Sequence, residues 1–404
     1  MNEPLPIEDV AAQALSDDRP LDSSSAFDYP PLVVPPSQQE NRRAEIEAKQ
    51  ELIGSLLTDA GADGLLMLDP ANVAWLCGAG LHQGVSDSSD WPAVFLVPTQ
   101  RWLVAGNADS QRLFDLYLDG LGFQLKEWQW HGGREKLLGE LCVNRRMASD
   151  RLVADCIPLG PAVRRLRCLL SEPERGRLRD LGGDVVHAVE AVCRSLVAGQ
   201  TEGETAGQVA HRMLRRGVTP VAIGVAGDGR LGRHRRPGVS TSAVRHNCVV
   251  TATGTRGGLH VSTSRTVSLG PKSPTLRQEF DAGCRVMAAQ AGASRPGLPL
   301  MTALEAGRRT AAAAGFEHAW RDLAPGYVTG WQPVERPFGP VVAFNFETGW
   351  PIVWQVAVGE ALCVDTFVIN AEVSQCATPI EVWPMKRIHV RGQTLDVPDI
   401  LVRD

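Results

Sequence analysis

The basic run "GRHRRP" over residues 232–237 places one imidazole, His234, among Arg233, Arg235 and Arg236. Imidazole has an ordinary pKa of about 6.5, so His234 can accept and return a proton near neutrality. Flanking guanidinium groups can clamp a carboxylate through two parallel hydrogen bonds. The alternative is a solvated basic loop in which His234 does no chemistry. Further along, "LHVSTSRT" puts His260, Ser262 and Ser264 at alternate positions of a strand-like run. Alternation sends all three to one face. A histidine and a serine two residues apart on a strand are too common to be read as base and nucleophile, and hydrogen bonding is the ordinary role. Arg265 reads as a buried structural arginine at the end of that strand. Trp331, Trp350 and Trp354 crowd one region. They could line an apolar, aromatic pocket or fill a core.

These groups need a scaffold. The chain has 404 residues, enough for two domains. It is 44% hydrophobic and 22% charged, with a net charge of −5. That composition suits a globular protein and gives no electrostatic reason to expect nucleic acid as partner. No apolar stretch approaches the roughly 18 residues of a membrane span. The acidic, proline-containing start "MNEPLPIEDVAAQ" is unlike a secretion signal. Nine scattered cysteines without a CxxC pair argue against a zinc site or a disulfide framework and fit reduced thiols in a cytoplasm.

Residues 1–40, ending in "YPPLVVPPSQQE", read as an unstructured tail or wrapping arm. Helical spacing of Ile46, Ile53, Leu56 and Leu57 starts near Asn41. "LLMLD", "AVFLVP" and "RWLVAG" read as strands, the last two as a hairpin, and "SQRLFDLYLDGLG" as helical. Residues 41–165 therefore alternate strands and helices, an α/β pattern. From Ser171 a capping box with Glu174 opens a long helix, and a second begins at Thr201 or Glu202 and ends at Gly217. Strands dominate 219–270, helices occupy roughly 274–292 and 301–315, and strands return over 340–372. Segregated blocks of this kind predict an α+β domain over 170–404. No simple repeat of 20–50 residues is visible.

Together these segments resemble a known family. "LLMLDPANVAWLCGAG" is similar to a strand-turn of the N-terminal domain of creatinases, prolidases and aminopeptidase P enzymes. The paired helices from Ser171 to Gly217, "VVTATGTRGGLHVSTSRTVSLG" and "GEALCVDTFVI" resemble their catalytic domain. The resemblance covers about residues 41–372. It implies a pita-bread fold, a curved antiparallel sheet backed by helices with the site on its concave face, behind a smaller α/β domain. It also implies a homodimer.

Metal-dependent members hold two divalent ions with Asp, Asp, His, Glu and Glu. Those positions fall here on Ala252, Ser262, Tyr327, Glu347 and Val364. No carboxylate lies anywhere from Val249 to Gly270, and useful affinity needs three or more anionic or imidazole donors. The expectation is therefore that neither a metal nor another cofactor is used. Creatinase, in this family, uses a histidine before the first strand as acid and base. His234 lies about fifteen residues before Val249, which suits that place. The resemblance then makes Tyr327 and Glu347 the partners of His234. Arg233, Arg236, His260, Ser262, Trp331, Glu335 and Asp365 become candidates for holding substrate. The implied activity is C–N hydrolysis, elimination or cyclisation on a small amino-acid-like or amide molecule or a short peptide. The alternative is a catalytically silent module that binds peptides or proteins, as pita-bread domains of histone chaperones do. An Xaa-Pro metallopeptidase fits least.

Overall fold

The computed structural model describes residues 36–81, 90–339, 341–372, 374–390 and 392–403. Most of the N-terminal tail lies outside the described residues. Its last part does not: helix α1 runs Pro36–Ala60, starting before Asn41 because Pro36 can occupy a first helical turn. Helix α1 buries Ile46, Ile53 and Leu57 against a six-stranded sheet. That sheet comprises β1 Gly64–Met67, β2 Ala93–Val97, β3 Gln100–Gly106, β4 Gln124–Trp128, β5 Met147–Ser149 and β6 Ile157–Pro158, in the order β4-β3-β2-β1-β5-β6. The hairpin expected of "AVFLVP" and "RWLVAG" is the antiparallel β2–β3 pair. Helix α2, Pro70–Cys77, is capped by the Asp69 side chain and stopped by Gly78 in the left-handed region at φ 64°. Ser110–Leu113 (α3) continues into a π-helical turn, Phe114–Leu118. Helices α4, Arg134–Cys142, and α5, Gly160–Cys168, complete this part.

The capping box read from the sequence is present, and the next helix carries one as well. Ser171 and Glu174 open α6, Glu172–Ser195, and Thr201 and Glu204 open α7, Glu202–Arg215. Three strands follow: β7 Thr219–Gly227, β8 Asn247–Arg256 and β9 Leu259–Leu269, with the short helix α8, Arg230–Arg233, between β7 and β8. The chain then repeats this order. Helices α9, Pro274–Ala293, and α10, Leu300–Ala313, lead to β10 Gly326–Val328, β11 Arg336–Pro337, and the hairpin β12 Pro351–Val358 with β13 Ala361–Val368. Strands β14, Gln375–Cys376, β15, Met385–Val390, β16, Gln393–Pro398, and β17, Leu401–Arg403, close the chain. The two halves form a four-stranded sheet, β17-β9-β8-β7, and a five-stranded sheet, β11-β10-β12-β13-β14. This helix-helix-strand duplication was hidden in the sequence because it is carried by element order and not by matching residues.

The central strands β9 and β13 are buried along almost their whole lengths. Odd positions face the helices: Val261 and Val267 share a core with Leu181, Val185 and Val189 of α6, while Cys363 and Phe367 pack with α9 residues. Even positions face the opposite, concave side. There the two strands are joined by hydroxyls and not by a backbone ladder. Ser264 Oγ donates to Leu362 O at 3.1 Å and accepts from Val364 N at 2.8 Å. Thr366 Oγ1 accepts from Ser262 N and donates to Ser262 O, both at 2.8 Å.

Candidate functional site

The β8–β9 hairpin sets the geometry of the concave face. Its turn is Gly257–Gly258, at φ 60° and 91°, a two-residue loop whose left-handed backbone matches strand twist. Counting outward, Thr253 lies opposite Ser262 and Ala252 opposite Thr263. Ala252 therefore points into the helix-packed core. The expected first ligand position moves to its neighbours Thr251 and Thr253, which share the Ser262 face. The register was legible from "TRGGLH": a Gly-Gly hairpin fixes the pairing, so Thr253 could have been found by counting.

Three hydroxyls form a chain on this face. Thr253 Oγ1 lies 2.8 Å from Ser262 Oγ, which lies 3.1 Å from Tyr327 Oη. Burial raises the phenol pKa above its usual value, with a smaller opposing pull from Arg236. Tyr327 is therefore a protonated donor at neutral pH and not a base. Around it the floor is apolar: Leu231, Val249, Val353, Leu362 and Val364 form one buried cluster against which Tyr327 and Leu323 pack. Leu231 brings the α8 loop onto this face. Arg230 fastens one end of the loop to buried Glu202, at 2.8 and 2.5 Å, and Arg235 fastens the other to Asp322 at 2.6 Å. The side chains of Arg233 and His234 between these anchors, and of Arg236 just past the second, are exposed.

His260, as alternation predicts, faces the second sheet. Its Nδ1 lies 3.1 Å from Gly330 O, and burial depresses its pKa to about 4. The imidazole is neutral at pH 7, with no carboxylate to charge it. Because the folded pKa lies below the unfolded value, its contribution to stability is complete above about 6.5. It is lost as pH falls toward 4, to the extent of about 3 kcal/mol. Thermal unfolding of His260→Gln is expected to depend less on pH over that window than the parent chain. Parallel profiles would exclude His260 as a source of acid lability.

Several expected substrate contacts are otherwise engaged. Glu335 is 4% exposed, and Arg167 occupies both its oxygens at 2.6–3.1 Å, so it fastens α5 instead of facing substrate. Asp365 Oδ1 accepts from Thr263, Thr378 and Arg265 on the helix side of β13. Trp331 is buried over Gly258 and beneath the ammonium of Lys49, 5.3 Å from its ring. Trp354 is wholly buried, its indole donating to Ser294, so the tryptophans fill core and do not line the concave face. Glu347 pairs with Arg165 at 3.4 Å beside Val328. Val328 and Tyr327 point to opposite sides of β10, so Glu347 does not converge with Tyr327 and His234.

This donor set does not fit a pair of divalent ions. Hydroxyls of Thr253, Ser262 and Tyr327 are neutral, and Val364 offers nothing. Among the described residues, no group of three or more His, Cys, Asp and Glu is arranged to hold an ion. Nor is any described helix long and apolar enough to cross a membrane.

The curved pair of half-sheets, each backed by a helix pair and preceded by a mixed-sheet part, is the pita-bread fold. No protein-family model matches the chain. It is 26% identical over 357 residues to a probable dipeptidase PepE of Mycobacterium tuberculosis, covering 80% of this chain and 92% of the relative. Dipeptidase PepE from Mycobacterium ulcerans superposes with a TM-score of 0.71 at 19% identity, over 89% of this chain and 98% of that one. An Xaa-Pro dipeptidase from Bacillus anthracis gives a TM-score of 0.70 at 16% identity, over 89% and 100%. The chain shares the pita-bread fold of these solved peptidases and is similar in sequence to the mycobacterial dipeptidase.

Proposed function

We propose that the protein acts on a short peptide or a small amide-containing molecule held on the concave face, by side-chain acid–base chemistry without a divalent metal pair. The observation that carries this reading is the Thr253–Ser262–Tyr327 hydroxyl chain on the concave face; the sequence resemblance sets Ser262 and Tyr327 at ligand positions of metal-dependent members. The dipeptidase names of its relatives support the substrate class. In this reading Tyr327 donates a hydrogen bond to the carbonyl that gains charge. Arg236, close enough to act on that phenol, holds an anionic group of the substrate. Arg233 lies on the same loop, and His234, exposed there, moves the proton. Glu347 lies on the other side of β10 and has no part in it.

The test is hydrolysis of a dipeptide panel, including Xaa-Pro sequences, by metal-analysed protein with and without chelator. Turnover is expected to survive chelation, and His234→Ala is expected to lower kcat/KM on the order of a hundredfold. Chelator-sensitive turnover with stoichiometric metal would overturn the reading. A second reading is binding without turnover. It is favoured by the apolar floor of Leu231, Val249, Leu362 and Val364, where a hydrolase would hold water. Calorimetric binding of a dipeptide with no product formed would select it. A homodimer in the cytoplasm, with no nucleic-acid partner, belongs to the same proposal; light scattering should then give about twice 43.6 kDa.

A further inference from the structure

A cavity of about 720 Å³ lies on the side of β10 away from Tyr327, between α5 and the segment 336–350. Its charge is one-sided: Arg164, Arg165 and Arg336 line it against a single carboxylate, Glu347, which Arg165 already pairs at 3.4 Å. Arg164 is exposed, and among the described residues no carboxylate pairs with it. Arg336 sits over Phe344, its guanidinium carbon 4.5 Å from the ring centroid, with one nitrogen donating to Ala343 O. Packing on an aromatic face fixes a guanidinium plane and leaves its edge free to bind. Trp350 supplies a second aromatic wall, is 5% exposed, and its indole N–H has no hydrogen-bond partner among the described residues. A buried donor of this kind usually finds an acceptor. Cys168, between Arg164 and Arg336, is no nucleophile, because burial pushes its thiol up to about 12.

Three guanidinium groups face a single carboxylate here, and the walls beside them are aromatic. We infer that this cavity binds a small organic carboxylate, its apolar or aromatic body against Phe344 and Trp350 and its carboxylate between Arg164 and Arg336. The guanidinium fork matches a planar carboxylate better than a spherical anion. This site is separate from the concave face, and the inference does not rest on the function proposed for that face.

The experiment is calorimetric titration of the full chain with phenylacetate, with its neutral analogue phenylacetamide, and with inorganic phosphate. Phenylacetate is expected to bind saturably, and phenylacetamide at least about tenfold more weakly. Arg164→Gln and Arg336→Gln are each expected to weaken phenylacetate by about tenfold or more, whereas Tyr327→Phe leaves its affinity unchanged. Among the described residues Arg164 has no ion-pair partner, so its substitution tests binding without removing one of the described ion pairs. The inference is overturned by absent phenylacetate binding, by equal affinity for phenylacetamide, by phosphate binding as tightly as phenylacetate, or by an Arg164→Gln variant that binds like the parent.

Discussion

Replacing Arg265 by leucine is expected to remove about 3–5 kcal/mol of stability. The guanidinium is fully buried between two carboxylates. Its Nε lies 2.9 Å from Glu190 of α6, itself fully buried, and Nη1 lies 3.3 Å from Asp365 of β13. Nη1 also donates to Thr263 Oγ1 and Ser264 O, both at 2.8 Å. Glu190 spends its other oxygen on Val382 N at 2.9 Å. One cation therefore joins the first helix–sheet half, the second half and the C-terminal segment. Leucine fills most of the volume but strands two anions where water cannot reach them, and that uncompensated burial dominates. Arg265→Lys keeps the charge and loses the fork, so its loss should be smaller. The double variant Arg265→Leu/Glu190→Gln should lose less than the sum of the two single changes, because one stranded charge is removed with the cation. Urea unfolding followed by circular dichroism measures all four, Glu190→Gln alone included. A loss below about 1 kcal/mol for Arg265→Leu would show that the cluster is not held as described.

The second large effect is expected at Arg167→Met, again about 3–5 kcal/mol. Arg167 is wholly buried on α5, grips Glu335 through three hydrogen bonds of 2.6–3.1 Å and also bonds Asn72 of α2. Asp69, the cap of α2, stands 3.8 Å away. The residue thus ties the six-stranded-sheet part to the turn after β10. Methionine leaves Glu335 buried without a counter-charge, so the turn should detach from α5 before the strands unfold. Faster proteolysis within 329–336, at a denaturant concentration where circular dichroism is still native, is the sign of this. Unchanged cleavage together with unchanged unfolding would rule it out.

The contrast between these two arginines shows what a sequence discloses. Arg265 was legible as a buried structural residue because it sits inside an apolar, alternating strand. Glu335 was not, because its partner is 168 residues away and nothing local marks the pair. The same division runs through the fold. Capping boxes, the Gly-Gly hairpin and helical periodicity are local signals, and the elements they predict are present. The earlier start of α1 was masked by the prolines that precede it. The site divided likewise: alternation correctly grouped His260, Ser262 and Ser264, while Ala252 was placed one residue from the true facing position. Glu347 was misassigned because its orientation depends on a turn outside any regular strand. The expected convergence of His234, Tyr327 and Glu347 failed on a matter of sidedness, which sequence spacing alone does not carry across a sheet.

The stitching of β9 to β13 by Ser264 and Thr366 has a dynamic corollary. Amide protons at Ser262 and Val364 are guarded by side-chain oxygens, so their exchange with deuterium reports the parting of the two half-sheets and not the fraying of either. While those amides stay protected the molecule keeps a stiff spine, and whatever opens and shuts around a guest must be the rim.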